Sequence, residues 1–144
     1  MIHENTAPYA ALVLRIALGV MFVAHALLKV MVFTVPGTVQ FFESVGLPGV
    51  LAYITIAAEL GAGVLLLVGF GTRWVALATV PILLGAAWVH LPNGWVFNAQ
   101  GGGWEYPAFL ALAAVVQALL GDGAYALSGQ NPRPLRSSTH QVAV

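Results

Sequence analysis

Apolar residues run through this chain in long blocks with few polar interruptions. Four blocks stand out, at about 9–33, 49–69, 73–91 and 104–120. None alternates with a period of two, and structure breakers bound them: Pro8, Pro36-Gly37, Pro92-Asn93-Gly94 and Gly121-Asp122-Gly123. A bilayer core of about 30 Å takes roughly 20 apolar residues as a helix. An open sheet cannot satisfy its backbone in lipid. The pattern therefore predicts an all-α membrane protein, a four-transmembrane-helix bundle. Gly69-Phe70-Gly71-Thr72 joins the second and third blocks so tightly that those helices should be antiparallel neighbours. The 36–48 segment mixes Val39, Phe41, Phe42 and Val45 with Gln40, Glu43 and Ser44. It reads as a short helix in the interface, with Thr38 as N-cap. Residues 1–128 form one transmembrane domain; 129–144 read as a polar, flexible C-terminal tail.

Composition strengthens the membrane assignment. The chain of 144 residues is 60% hydrophobic and 7% charged, against about 25% charged in soluble domains. Lys+Arg and Asp+Glu balance at five each, so no basic patch invites nucleic acid. There is no cysteine, which excludes disulfides, thiolate zinc sites, Fe–S clusters and covalent c-type haem. The opening MIHENTAPYA lacks a basic n-region, so the first block reads as an uncleaved helix. Arg73, Arg133 and Arg136 fall on the side shared by both termini, whereas the 36–48 and 92–103 loops hold no Lys or Arg. The positive-inside rule then places both termini in the cytoplasm of a multi-pass inner (plasma) membrane protein.

The few ionisable residues carry the candidate chemistry. Arg15, Leu18, Phe22, His25 and Lys29 are spaced 3, 4, 3 and 4, one stripe of the first helix. Arg15 and Lys29 also suit plain anchoring at the two interfaces. Glu59 lies near the middle of the second block among Ala57, Ala58, Gly61, Ala62 and Gly63, so it needs a partner or a proton. With straight, level spans, Arg15 is the nearest cation by depth, which predicts a structural Arg15–Glu59 ion pair. His90 closes the third block and Glu105 opens the fourth. An interfacial histidine and a helix-capping carboxylate are the plain alternatives for these two. Together, His25, Lys29, Glu59, His90, Glu105, Trp104 and Tyr106 form a candidate polar cluster able to hold the head of an amphiphile. No H-x₃-H or E-x-x-H spacing marks a metal site. A first-row metal would require His25, His90, Glu59 and Glu105 to converge from separate helices. Axial haem ligation by His25 and His90 suffers from a depth difference of roughly 10 Å.

These residues resemble the DoxX family over nearly all of 9–128. The resemblance rests on Arg15 with Gly19, on Lys29, on Phe42, Gly46 and Pro48 as F-x₃-G-x-P, and on Glu59 with Gly63 and Gly69. Thr72-Arg73, His90, the string Gly102-Gly103-Trp104-Glu105-Tyr106-Pro107 and the closing Gly121–Ser128 segment continue it. Ala124 stands where the family commonly has a basic residue, which weakens the expected contact with lipid headgroups. The resemblance implies a small four-helix bundle in membrane redox or sulfur-metabolism settings, often beside an oxidoreductase. One branch resembles the small subunit of thiosulfate:quinone oxidoreductase.

The expectation is therefore an accessory or quinone-side subunit of a membrane redox complex, with no cofactor built in and quinone as its candidate ligand. Its partners would be membrane lipids, oxidoreductase subunits or further copies of itself. A non-enzymatic scaffold with a purely structural polar core is the alternative, and a metal or small-solute site a weaker one.

Overall fold

A computed structural model describes residues 5–128; the expected tail at 129–144 lies outside the described residues. Helix α1 covers Ala7–Leu27, and its last part widens into a π turn at Leu28–Val32. Helices α2 (Val35–Ser44), α3 (Val50–Val68), α4 (Thr72–His90) and α5 (Glu105–Leu120) follow, with a 3₁₀ turn at Leu91–Asn93. The described residues contain no strand. Three helical stretches, Ala7–Val32, Val50–Val68 and Thr72–Asn93, are long and apolar enough to cross a membrane. Helix α5 is apolar but only 16 residues long, shorter than the roughly 20 that a vertical span takes.

Helix α1 packs most extensively on α3, and α4 on α5. The α1–α5 and α3–α4 faces close the ring more loosely. Leu18, Phe22, Leu66, Ala76, Leu83 and Ala114 form the central core. Large apolar side chains cover the outside: Met31, Trp74, Phe109 and Leu119 are among the most exposed. An apolar exterior around a small core suits lipid as the solvent.

Helices α1 and α3 approach each other closely at two glycines. A Cβ at Gly63 would lie 2.9 Å from the Val23 nitrogen and 3.0 Å from the Gly19 carbonyl oxygen. A Cβ at Gly19 would press on Leu67 and on the Gly63 carbonyl oxygen. Only hydrogen in place of a side chain lets these backbones touch.

The short helix predicted between the first two blocks is α2, but its cap is displaced. Thr34 is the N-cap and accepts from the Gly37 N–H at 3.2 Å. Thr38 is buried one turn later, and its hydroxyl reaches the Lys29 and Thr34 carbonyls, each at 3.0 Å. The Phe33 N–H bonds the Leu28 carbonyl at 3.0 Å, the i→i−5 pairing of a π turn.

The two ends of the bundle differ. At one, here called the turn end, residues 121–128 stitch four helices together. The Ala124 N–H bonds the Pro8 carbonyl at 2.9 Å, and the Leu127 and Ser128 N–H groups bond Val68 and Gly69 at 3.0 and 3.1 Å. Asp122 Oδ1 accepts from the Thr72 N–H at 3.0 Å, satisfying a donor in the first turn of α4, while Oδ2 accepts from Ser128 at 2.9 Å. At the other, the lid end, α2 and residues 91–104 cover the bundle. Between them and the core lies a cleft of about 710 Å³.

Candidate functional site

The cleft is mostly apolar. Phe22, Phe42, Ile54, Leu83 and Leu110 line it, with the lid contributing Phe97 and Gly102-Gly103. Its polar lining includes Lys29, Glu59, His25, His90, Thr55 and Tyr106. Five of the seven residues in the predicted cluster thus share one cavity.

Its centre of charge is an ion pair. Lys29 Nζ donates to both carboxylate oxygens of Glu59, at 2.9 and 2.8 Å. The Lys29 and Glu59 side chains are only 17% and 9% exposed. Two of the three ammonium donors are spent on the carboxylate, leaving one for another acceptor.

The expected Arg15–Glu59 pair does not form, and the helix register explains why. Gly19 meets Gly63, so four residues separate Arg15 from the crossing and four more separate Glu59 on the other side. At about 1.5 Å per residue, Arg15 lies roughly 12 Å from Glu59 along the axis and Lys29 only about 9 Å. Lys29 closes that gap by reaching inward, the opposite of snorkelling to the interface. Arg15 is held at the turn end instead. It is 1% exposed, and its Nη2 donates to the Ala124 carbonyl at 3.2 Å. Its guanidinium lies over Gly69, which has φ +71° and no room for a side chain. Asp122 is near enough to act on its charge.

His25 lies on the cleft wall. Its Nδ1 donates to the Met21 carbonyl at 2.8 Å, leaving Nε2 of the neutral ring as an acceptor. Its ring stacks on Tyr106, with centroids 5.9 Å apart and planes at 24°. The Tyr106 hydroxyl reaches Met21 Sδ at 3.7 Å. His90 lies under the lid, where its Nδ1 donates to the Gly101 carbonyl at 3.0 Å.

Glu105 and Trp104 are absent from the cleft lining. The Phe97 N–H donates to Glu105 Oε1 at 2.7 Å, so this carboxylate fastens the lid. Trp104 packs edge-on against Trp95, with centroids 4.4 Å apart. The lid folds tightly because Gly103 lies against the Trp95 and Val96 carbonyls, where a Cβ would collide. The four candidate metal ligands do not converge: among the described residues no three His, Asp or Glu side chains are grouped to hold a metal.

Sequence reasoning missed two contributors. Asp122 read only as part of a turn signal, yet it ties α4 to the closing segment. Gly85, which the sequence pattern did not single out, lines the cleft with open space where a side chain would project. A carboxylate between two glycines was a legible hint for Asp122; nothing in the pattern marked Gly85.

Comparison with known proteins supplies the setting. The family model described as DoxX matches residues 10–91. The chain is 38% identical over 117 residues to "Putative oxidoreductase CatD" of Bacillus subtilis (strain 168), covering 81% of this chain and 82% of that protein. It is 34% identical over 82 residues to "Inner membrane protein YqjF" of Escherichia coli (strain K12), covering 57% of this chain and 62% of that protein. No solved structure matches the chain.

Proposed function

The chain belongs to the DoxX family of membrane proteins, and from there we propose that it is the quinone-side subunit of a membrane redox complex. In this reading it crosses the inner membrane four times, with both termini cytoplasmic. It holds a quinone in the lid-end cleft, while a partner oxidoreductase supplies the electrons. One observation carries the proposal: a buried ammonium–carboxylate pair faces an apolar cavity between membrane helices. A cleft of about 710 Å³ falls in the roughly 300–1,000 Å³ range of small-molecule sites. The remaining Lys29 donor suits a ring carbonyl. His25 Nε2 suits a ring hydroxyl, and Glu59 suits proton exchange with it. The relative named as an oxidoreductase supports the redox setting.

A structural scaffold is the second reading, favoured by the way Lys29 and Glu59 satisfy each other. Gly85→Phe separates the two. Gly85 lines the cleft and a Cβ there meets no atom within 4 Å, so a ring has room to be placed there, and a helix-interior glycine is replaced by a better helix former. Quinone co-purifying with the protein from its native membrane should fall about tenfold or more, the effect of losing roughly 1.4 kcal/mol of binding. The thermal midpoint should not fall. Equal quinone content in wild type and variant would reject the quinone role and leave the scaffold.

A further inference from the structure

Building on the cleft assigned above, we infer that Glu59 sets its specificity by charge: the site takes amphiphiles with an uncharged, hydrogen-bond-accepting head and refuses carboxylate and phosphate heads. The described residues contain three Lys or Arg side chains, and each is accounted for. Arg15 is buried at the turn end on the Ala124 carbonyl. Arg73 lies over the Trp74 ring, 5.9 Å from its centroid. Lys29 is the one that lines the cleft, and Glu59 holds it through both oxygens. The two histidines of the lining have their Nδ1 atoms committed to backbone carbonyls. Among the described residues the cleft therefore offers donors but no unpaired Lys or Arg.

An anionic head entering here would have to share Lys29 with a carboxylate already in place. Two like charges would then lie within a few ångströms inside a low-dielectric wall, an arrangement that strongly disfavours the second anion. An uncharged carbonyl needs only the third Lys29 N–H and leaves the pair intact. Selection of this kind matters in a bilayer, where anionic lipids and fatty acids surround the site. A repulsive element separates similar amphiphiles more sharply than added attraction alone. Glu59 is thus a specificity-determining residue, and the ligand class is the neutral-headed apolar amphiphile, of which quinones are one kind.

The test uses the full chain in phosphatidylcholine nanodiscs, with decylubiquinone and oleate as competing probes, each quantified by mass spectrometry after gel filtration. Wild type should retain decylubiquinone over oleate by about tenfold or more, and Glu59→Gln should reverse the order by a similar factor. Gln keeps an oxygen for Lys29 but no longer cancels its charge. If Glu59→Gln fails to fold, Glu59→Asp, whose shorter carboxylate draws back from Lys29, should shift the ratio in the same direction by a smaller factor. Wild type retaining oleate as well as decylubiquinone overturns the inference, as does an unchanged ratio in a folded, quinone-binding variant. Retention of neither probe by either protein overturns the cleft reading itself, and the inference with it.

Discussion

At the scale of single residues, the pairing of Lys29 with Glu59 is a commitment that neither side chain can leave cheaply. Lys29→Met removes the cation from a carboxylate that is 9% exposed. Breaking a buried pair on one side costs about 3–5 kcal/mol, whereas replacing both partners by apolar groups of similar volume is often near neutral. Thermal unfolding in mild detergent should therefore show a large drop for Lys29→Met and a midpoint close to wild type for Lys29→Met combined with Glu59→Met. A double variant as unstable as Lys29→Met would show that the unpaired carboxylate is not the source of the loss. The stripe from Arg15 to Lys29 and the isolation of Glu59 were both legible in the sequence. The choice of partner was not, because it depends on axial register. Block boundaries placed Arg15 nearest, while the Gly19–Gly63 contact shifts the helices and favours Lys29. Glu105 misled for a related reason: a carboxylate in a first turn can face either the bundle or the loop, and here it binds the Phe97 N–H.

At the scale of the elements, the Gly19–Gly63 crossing sets that register. Gly63→Leu should force α1 from α3 and lower the thermal midpoint by the equivalent of at least the 1–3 kcal/mol that overpacking commonly costs. Gly61→Leu, where nothing lies within 4 Å of the added Cβ, is the matched control and should leave the midpoint near wild type. Equal losses for the two would mean that the crossing does not govern the effect. Apolar block length located the long helices to within a few residues. The π turn at the end of α1 was hidden, since it arises where the Thr38 hydroxyl takes the Lys29 carbonyl across nine residues. Hydrophobic period records faces and not such long-range bonds. The fourth block, read from 104 to 120, is α5 at Glu105–Leu120, so its bounds were legible to within one residue.

At the scale of the whole molecule, the chain is fastened at its turn end and hollow at its lid end. The proposed four-span topology places these ends on opposite sides of the membrane, and the absence of native cysteine makes that directly measurable. Single cysteines at Asn98 in the lid, Phe70 in the turn and Leu127 in the closing segment all occupy exposed positions. An impermeant maleimide added to intact spheroplasts should label Asn98→Cys alone, and permeabilisation should admit label to Phe70→Cys and Leu127→Cys. Labelling of Leu127→Cys together with Asn98→Cys would mean that α5 does not cross. The all-helical membrane class was legible from composition and block length because lipid leaves a chain few alternatives. The cavity was not, since it is formed by what four helices fail to fill. The stitching by residues 121–128 has a bearing on biogenesis. Those residues leave the ribosome after every helix they join, so α1 and α3 enter the bilayer before the clasp on Pro8, Val68, Gly69 and Thr72 exists. Membrane insertion and final locking are thus separate events in the life of this protein, and the second waits on the last of the described residues to be translated.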